Sequence, residues 1–271
     1  MRLNRSEPLP SDFADALART RPRLGRLAST VLFFSTTGST NDVAAHLAGT
    51  GDCEGAVVVA DAQTAGRGRR GRTWFSPPAS GLYVSVVLTP GRAQRAPDRA
   101  VTLTTLAAGV ALAEGVEHVA GLSATIKWPN DLLVGRRKLA GILAEAVDAR
   151  EWHVVLGYGI NVGSAAFPPE LRDRVTSLES ELGRATDRAA LFAETLVALA
   201  RRYDDLLAGR FDAILDAWRA RAPASCGARV TWHAASGVRT GITAGIDDRG
   251  ALLVQVGDGI ERIVAGEVSW I

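Results

Sequence analysis

Asp61-Ala-Gln-Thr-Ala-Gly-Arg-Gly-Arg-Arg-Gly-Arg-Thr-Trp-Phe-Ser76 is the stretch around which the chain is organised. Gly66, Gly68 and Gly71 alternate with Arg67, Arg69, Arg70 and Arg72, and Trp74 closes the run. Glycine lets a backbone bend where other residues resist. Arginine adds a planar, permanently charged fork of donors. No acidic residue lies between Ala62 and Pro97 to neutralise the cluster. A bending, cationic loop with a terminal aromatic suits an anion that carries a flat ring, such as a nucleotide.

Gly66-x-Gly68-x-x-Gly71 matches the letters of a dinucleotide fingerprint. That motif needs a strand before it, a helix opening on it, and an acid about 20 residues further on. Here Pro77-Pro78 follows, Leu82–Leu88 reads as a strand, and no acid stands near Gly91, so the fingerprint is rejected. A solvated basic loop or a weak nucleic-acid patch is the plainer alternative.

The 271 residues allow one or two domains, and 47% hydrophobic with 22% charged residues describes a globular chain. A net charge of +2 argues against general DNA binding. Cys53 and Cys226 have neither zinc nor redox spacing and read as reduced thiols. No uninterrupted apolar run approaches the roughly 18 residues of a membrane span, and no signal core precedes Val31, so a cytoplasmic protein with no membrane partner is expected. Of 31 basic residues only Lys127 and Lys138 are lysine. In a chain that otherwise uses arginine, two compact point charges within one short segment suggest a tight site.

The pattern predicts an extension over 1–28, with a helix at Asp12–Arg19 and too little length for a helix-turn-helix domain before the first strand. Val31–Phe34 reads as a strand, then Ser39-Thr-Asn41 as N-cap types and a polar cradle ahead of a helix over Asp42–Leu47. Strands are expected at Ala56–Ala60, Gly81–Leu88, Ala124–Trp128, Leu132–Val134, Leu139–Ala146 and Trp152–Val162. Helices are expected at Arg99–Glu117, Arg188–Leu207 and Phe211–Arg219. Gly157 and Gly159 within a strand mark close approach by a ligand or another backbone. After Pro223 only short strands follow, which reads as a small β-barrel or sandwich.

Gly38-Ser-Thr-Asn41, Gln63 to Trp74, Lys127-Trp-Pro-Asn-Asp131, Arg137-Lys-Leu-Ala-Gly-Ile-Leu-Ala-Glu145 and Gly157-Tyr-Gly-Ile-Asn-Val162, in that order, resemble a biotin–protein ligase. The resemblance covers roughly residues 30–165. It implies an α+β fold: a mixed, mainly antiparallel sheet with helices packed on one face, as in class II synthetases, over 29–222. A small SH3-like β-barrel over 223–271 follows. It also implies a two-step reaction. Biotin and ATP, with Mg2+, give biotinyl-5′-AMP and pyrophosphate, and the acyl group then passes to a lysine on the biotin carboxyl carrier domain of a carboxylase, releasing AMP. DNA is not an expected partner, and a monomer or weak homodimer is.

Carried over by position, Lys127 resembles the central lysine between biotin carboxylate and phosphate, with Lys138 on the phosphate side. Arg67, Gly68 and Arg69 would hold the carboxylate and phosphates, with Arg72 assisting, and Arg67, Arg69 and Lys127 are the catalytic candidates. Ser39, Thr40, Asn41 and Gln63 would bind the ureido ring, and Gly141 and Ile142 would give a close backbone and an apolar wall. Trp74 reads either as an aromatic over adenine or as core filling. Asn130 and Asn161 are candidates for the adenine edge or phosphate, Asp131 is a candidate proton acceptor, and Trp128 reads as core. The competing assignments are a lipoate ligase or octanoyltransferase, a nucleic-acid-binding module and a catalytically dead regulatory homologue.

Overall fold

The computed structural model describes residues 6–51, 53–148, 153–164, 167–234 and 237–271. Strands β1 (Val31–Thr37), β2 (Val57–Gln63), β3 (Gly81–Leu88), β4 (Thr125–Lys127), β5 (Asp131–Val134), β6 (Arg137–Asp148) and β7 (His153–Asn161) form a sheet in the order β1-β2-β3-β7-β6-β5-β4. Only β1 and β2 are parallel, and the remaining neighbours are antiparallel. A parallel pair needs a crossover. It is supplied by α2 (Thr40–Ala48), after α1 (Ser11–Thr20) has opened the chain. Trp152, expected to start the last of these strands, lies outside the described residues.

Strand alternation divides the apolar residues between two faces. Val57, Val59, Val84 and Val86 join a large core shared with α1, α3 (Pro97–Ala120), α5 (Arg188–Leu207) and α6 (Phe211–Arg221). Val58, Ala60, Val87 and Val155 face the other way and meet Phe34, Val43 and Ala44 around α2. One-sided helix packing therefore holds for the long helices and fails for α2. A short α4 (Leu178–Leu182) precedes α5.

Leu103, Leu106, Val110 and Ala113 of α3, and Phe192, Leu196, Leu199, Tyr203 and Leu206 of α5, are all buried. The Asp187 carboxylate caps α5 by accepting from the Ala190 amide at 2.9 Å. By length and composition α3 is apolar enough to cross a membrane, a property that counting uninterrupted apolar runs missed. Most of it is buried in this core. Residues 6–28 are more than an extension: Phe13, Ala16, Leu24 and Leu27 belong to the same core.

Strands β8 (Cys226–Ala234), β9 (Gly237–Ile246), β10 (Leu252–Val256), β11 (Gly259–Ile263) and β12 (Val268–Trp270) make a second, antiparallel sheet in the order β11-β10-β9-β8-β12. Trp128 is buried, as expected, and its indole N–H donates to the Gly250 carbonyl at 2.9 Å, which fixes this sheet to the end of β4.

Candidate functional site

The site lies on the α2 face of the first sheet, opposite the long helices. Gly141 of β6 pairs with Gly159 of β7, and Leu143 pairs with Gly157. These glycines leave a shallow floor. A Cβ at Gly157 would lie 1.9 Å from the Asn41 Oδ1, and one at Gly159 would lie 2.4 Å from the Trp74 Nε1. The close approach that the strand glycines signalled is thus made by side chains of this chain.

The floor, α2 and the arginine loop enclose a slot of about 50 Å3 lined by Ser39, Thr40, Asn41, Gln63, Arg67 and Trp74, among others. Its polar wall is fixed by a chain of hydrogen bonds. Gln63 Oε1 accepts from the Thr40 amide at 2.8 Å and from its hydroxyl at 3.1 Å. Gln63 Nε2 donates to Ser76 Oγ at 2.9 Å. Ser85 Oγ lies 2.6 Å from Asn41 Oδ1 and 2.8 Å from Thr40 Oγ1. Ser39 occupies the N-cap position in extended conformation, but its hydroxyl does not cap the helix. The cap expected from Ser39, Thr40 or Asn41 comes instead from Gln63, which takes the free Thr40 amide and leaves the small polar groups lining the slot.

The arginine loop is a narrow hairpin. The Trp74 amide donates to the Gly66 carbonyl at 2.8 Å, and the Gly68 amide to the Arg72 carbonyl at 2.7 Å. Arg70 and Gly71 at its tip have φ of +59° and +73°. Trp74 lies across Gly141 and Gly159, with its Nε1 buried and unpartnered. It is neither core filling nor confined to the far cleft, because it forms one wall of the slot.

Past Trp74 the slot opens into a cleft of about 660 Å3 lined by Arg69, Arg70, Arg72, Lys127, Arg136, Lys138 and Arg174, against Asp131, Asp173 and Glu267. The second sheet contributes directly. Glu267 pairs with Arg72 at 2.6 Å, and the Lys127 ammonium sits 4.9 Å from the centre of the Trp270 ring. Phe75 and Phe167 meet at 6.2 Å on the rim of the cleft.

The two lysines differ in placement. Lys138, not Lys127, lines the slot, and it also lines the cleft. The cause is a bulge in β6. Leu132 pairs with Ala140 but Leu133 with Lys138, so Leu139 is the extra residue. Leu139 and Ala140 both turn into the core, and Lys138 falls beside Gly141, where a Cβ would lie 3.1 Å from Nζ. Bulges re-aim side chains in this way. Lys138 Nζ pairs with Asp131 Oδ1 at 2.7 Å and stands 5.2 Å from the Trp74 ring centre. Lys127 is confined to the cleft, where burial, opposed by the nearby Asp131 charge, holds its pKa below the ordinary lysine value.

The arginines also part company. The Arg67 guanidinium is bound by Asp42 at 2.5 Å and by Glu145, so its charge is already answered and it does not offer a free cation to an anion. Arg69 makes no ion pair among the described residues and donates to Asn130 Oδ1 at 3.0 Å. Burial lowers its pKa, with Asp131 pulling the other way. Asn130 also donates to the Ile142 carbonyl at 2.8 Å. Asn161 lines the cleft, but its amide is committed to the Thr176 carbonyl at 2.9 Å, so it braces the wall rather than offering that donor to a ligand. Sequence reasoning passed over Asp42, Ser85 and Glu145. Glu145 had a legible signal, being the one charge in the apolar run from Leu139 to Ala146.

Residues 33–161 match the model of the biotin/lipoate A/B protein ligase family, and 226–270 match the biotin protein ligase C-terminal domain. The bifunctional ligase/repressor BirA of Bacillus subtilis is 36% identical over 243 residues, covering 88% of this chain and 73% of that protein. This chain belongs to the biotin protein ligase family. The biotin–[acetyl-CoA-carboxylase] ligase of Mycobacterium tuberculosis is 36% identical over 237 residues, 86% of this ligase and 85% of that one. Among solved structures, the Aquifex aeolicus biotin protein ligase in complex with biotin and ATP superposes with a TM-score of 0.76 at 27% identity, covering 90% and 99% of the two chains. The mixed sheet with its helices and the C-terminal antiparallel sheet are those of this family.

Proposed function

We propose that this ligase joins biotin to ATP as biotinyl-5′-AMP and transfers the acyl group to one lysine of a biotin carboxyl carrier domain. The observation that carries the reading is the placement of Lys138 and Arg69 where a neutral polar slot opens into a cationic cleft. A bicyclic ureido ring needs neutral donors and acceptors, which Thr40, Asn41, Gln63 and Ser39 offer. Its carboxylate then emerges at Lys138, Arg69 and the Gly68 backbone, facing the nucleotide phosphates.

Two anions must meet for the carboxylate oxygen to attack the α-phosphorus and expel pyrophosphate. Fixed cations in a partly water-excluded site offset their repulsion and stabilise the charge that develops. Lys138 and Arg69 do this at the junction, and Lys127, Arg70 and Arg174 supply charge along the cleft. Arg72 holds the second sheet in place through Glu267. Arg67 acts as a brace. Among the described residues no group of three or more His, Cys, Asp or Glu could hold a metal, so Mg2+ would enter on the nucleotide phosphates, as it commonly does. In the second step the carrier amine, having given its proton to water, attacks the acyl carbon and AMP leaves.

Trp74 and the hairpin behind it would keep water from the adenylate until the carrier arrives. The names of the Mycobacterium tuberculosis and Paracoccus denitrificans relatives specify acetyl-CoA carboxylase, and the carrier domain of such a carboxylase is the acceptor we assign. The need for ATP and the thiols of Cys53 and Cys226, neither of them in a disulfide, suit the cytoplasm. Incubation with ATP, labelled biotin and a purified carrier domain tests the reading. Label on one carrier lysine supports it. Transfer of lipoate in place of biotin, or of neither, rejects it.

A further inference from the structure

We propose that Glu145 is a positioning residue that ties closure of the arginine loop to the orientation of the slot's polar wall. The occupant of the slot rests on the ligase reading, but the coupling itself rests on contacts within this chain. Glu145 projects from β6 on the slot face, opposite Val155, which in turn pairs with Val87. Both valines belong to the small core around α2. The two oxygens of this one carboxylate are divided. Oε2 accepts from Asn41 Nδ2 at 2.8 Å, and Oε1 accepts from the Arg67 guanidinium.

Each half of that division has a consequence. Asn41 Oδ1 faces the Ser85 hydroxyl at 2.6 Å, so both ends of the amide are engaged. A flipped amide would set its oxygen against the carboxylate. Glu145 therefore decides which way Asn41 faces the slot. Arg67 lies in the hairpin, bridged to Thr73, and the next residue, Trp74, is bonded back to Gly66. Drawing Arg67 down onto Glu145 and Asp42 brings Trp74 down over Gly141 and Gly159. Both ties are charge-assisted because the acceptor is a carboxylate, and the one to Arg67 is charged on both sides. An open loop leaves Glu145 holding Asn41 alone.

The test is Glu145→Gln. The substitution keeps the length of the side chain, removes one of the two carboxylate charges that hold Arg67, leaving Asp42, and sets an amide between two donors. In the ligand-free protein, amide hydrogens of residues 66–74 should exchange about tenfold faster than in the parent, a readout that requires no ligand. The KM for biotin in pyrophosphate exchange should rise about tenfold with a smaller change in kcat. Biotinyl-adenylate should escape about tenfold faster when no carrier is present.

Arg67→Met cuts the same tie from the other end and should raise loop exchange to a similar degree. Combining the two substitutions should add little to either alone. Parent-like loop exchange and adenylate escape in a folded Glu145→Gln protein would overturn the proposal. So would an unprotected loop in neither single variant. Faster loop exchange in both variants, with no biotin-dependent activity in the parent, would support the coupling and remove the ligase reading instead.

Discussion

The indole of Trp74 rests on Gly159: a single methyl group added at Gly159 would lie 2.4 Å from Nε1. The arginine loop can close only because β7 carries no side chain at that point. In Gly159→Ala the indole must lift, and the slot loses its aromatic wall. The expected result is a biotin KM raised at least about tenfold, with a stability cost of roughly 1–3 kcal/mol from overpacking. Titration of biotin in the exchange assay and a urea melt measure the two effects separately.

Arg69 is a half-buried cation without an ion pair among the described residues, and it makes its bond to the neutral Asn130. On the proposed reading this charge serves a ligand rather than the fold. Arg69→Leu should leave the urea midpoint equal to or above that of the parent, while adenylate formation falls by about 100-fold. A lower midpoint with unimpaired adenylate formation would mean that the guanidinium serves the fold.

Lys127 gives a pH signature. Its pKa is lowered, chiefly by burial. A depressed pKa contributes stability that is full above the unfolded value of about 10.4 and is lost as pH falls through the folded value. At neutral pH the charged ammonium is therefore a cost to the empty fold. Lys127→Met should melt higher than the parent near neutral pH, with the gap narrowing as pH rises toward about 10. On the proposed reading bound nucleotide adds counter-charge to that of Asp131, so in the parent its affinity should fall with rising pH before an ordinary lysine would titrate.

Trp128 links the two sheets through its bond to Gly250. Trp128→Phe keeps most of the ring and leaves the carbonyl without its donor, at a cost of about 1–3 kcal/mol. Because Val268 of the second sheet and Glu267 just before it line the cleft, the same change should raise the KM for ATP more than that for biotin. Equal effects on both would argue against a nucleotide site shared between the sheets.

Much of this was legible in the sequence. The run ending at Thr89-Pro90 located β3 and amphipathic spacing located α5, and the hydroxyl and amide triplet at Ser39, Thr40 and Asn41 does line the slot. What stayed hidden depended on register and on long-range pairing. The extra residue at Leu139 moves Lys138 into the slot, and a bulge leaves no mark in a run of apolar residues. Arg67 looks as available as Arg69 until Asp42, 25 positions away, and Glu145, 78 positions away, are brought against it. The second face of the sheet escaped notice because α2 is short and its core is small.

Biotin-dependent exchange of labelled pyrophosphate into ATP, measured for the parent and for Lys138→Met, tests the central claim most directly. The account predicts exchange that requires biotin and falls by at least about 100-fold in Lys138→Met, with a smaller loss in Lys127→Met. Exchange that survives in Lys138→Met, or a parent that exchanges without biotin, would contradict it.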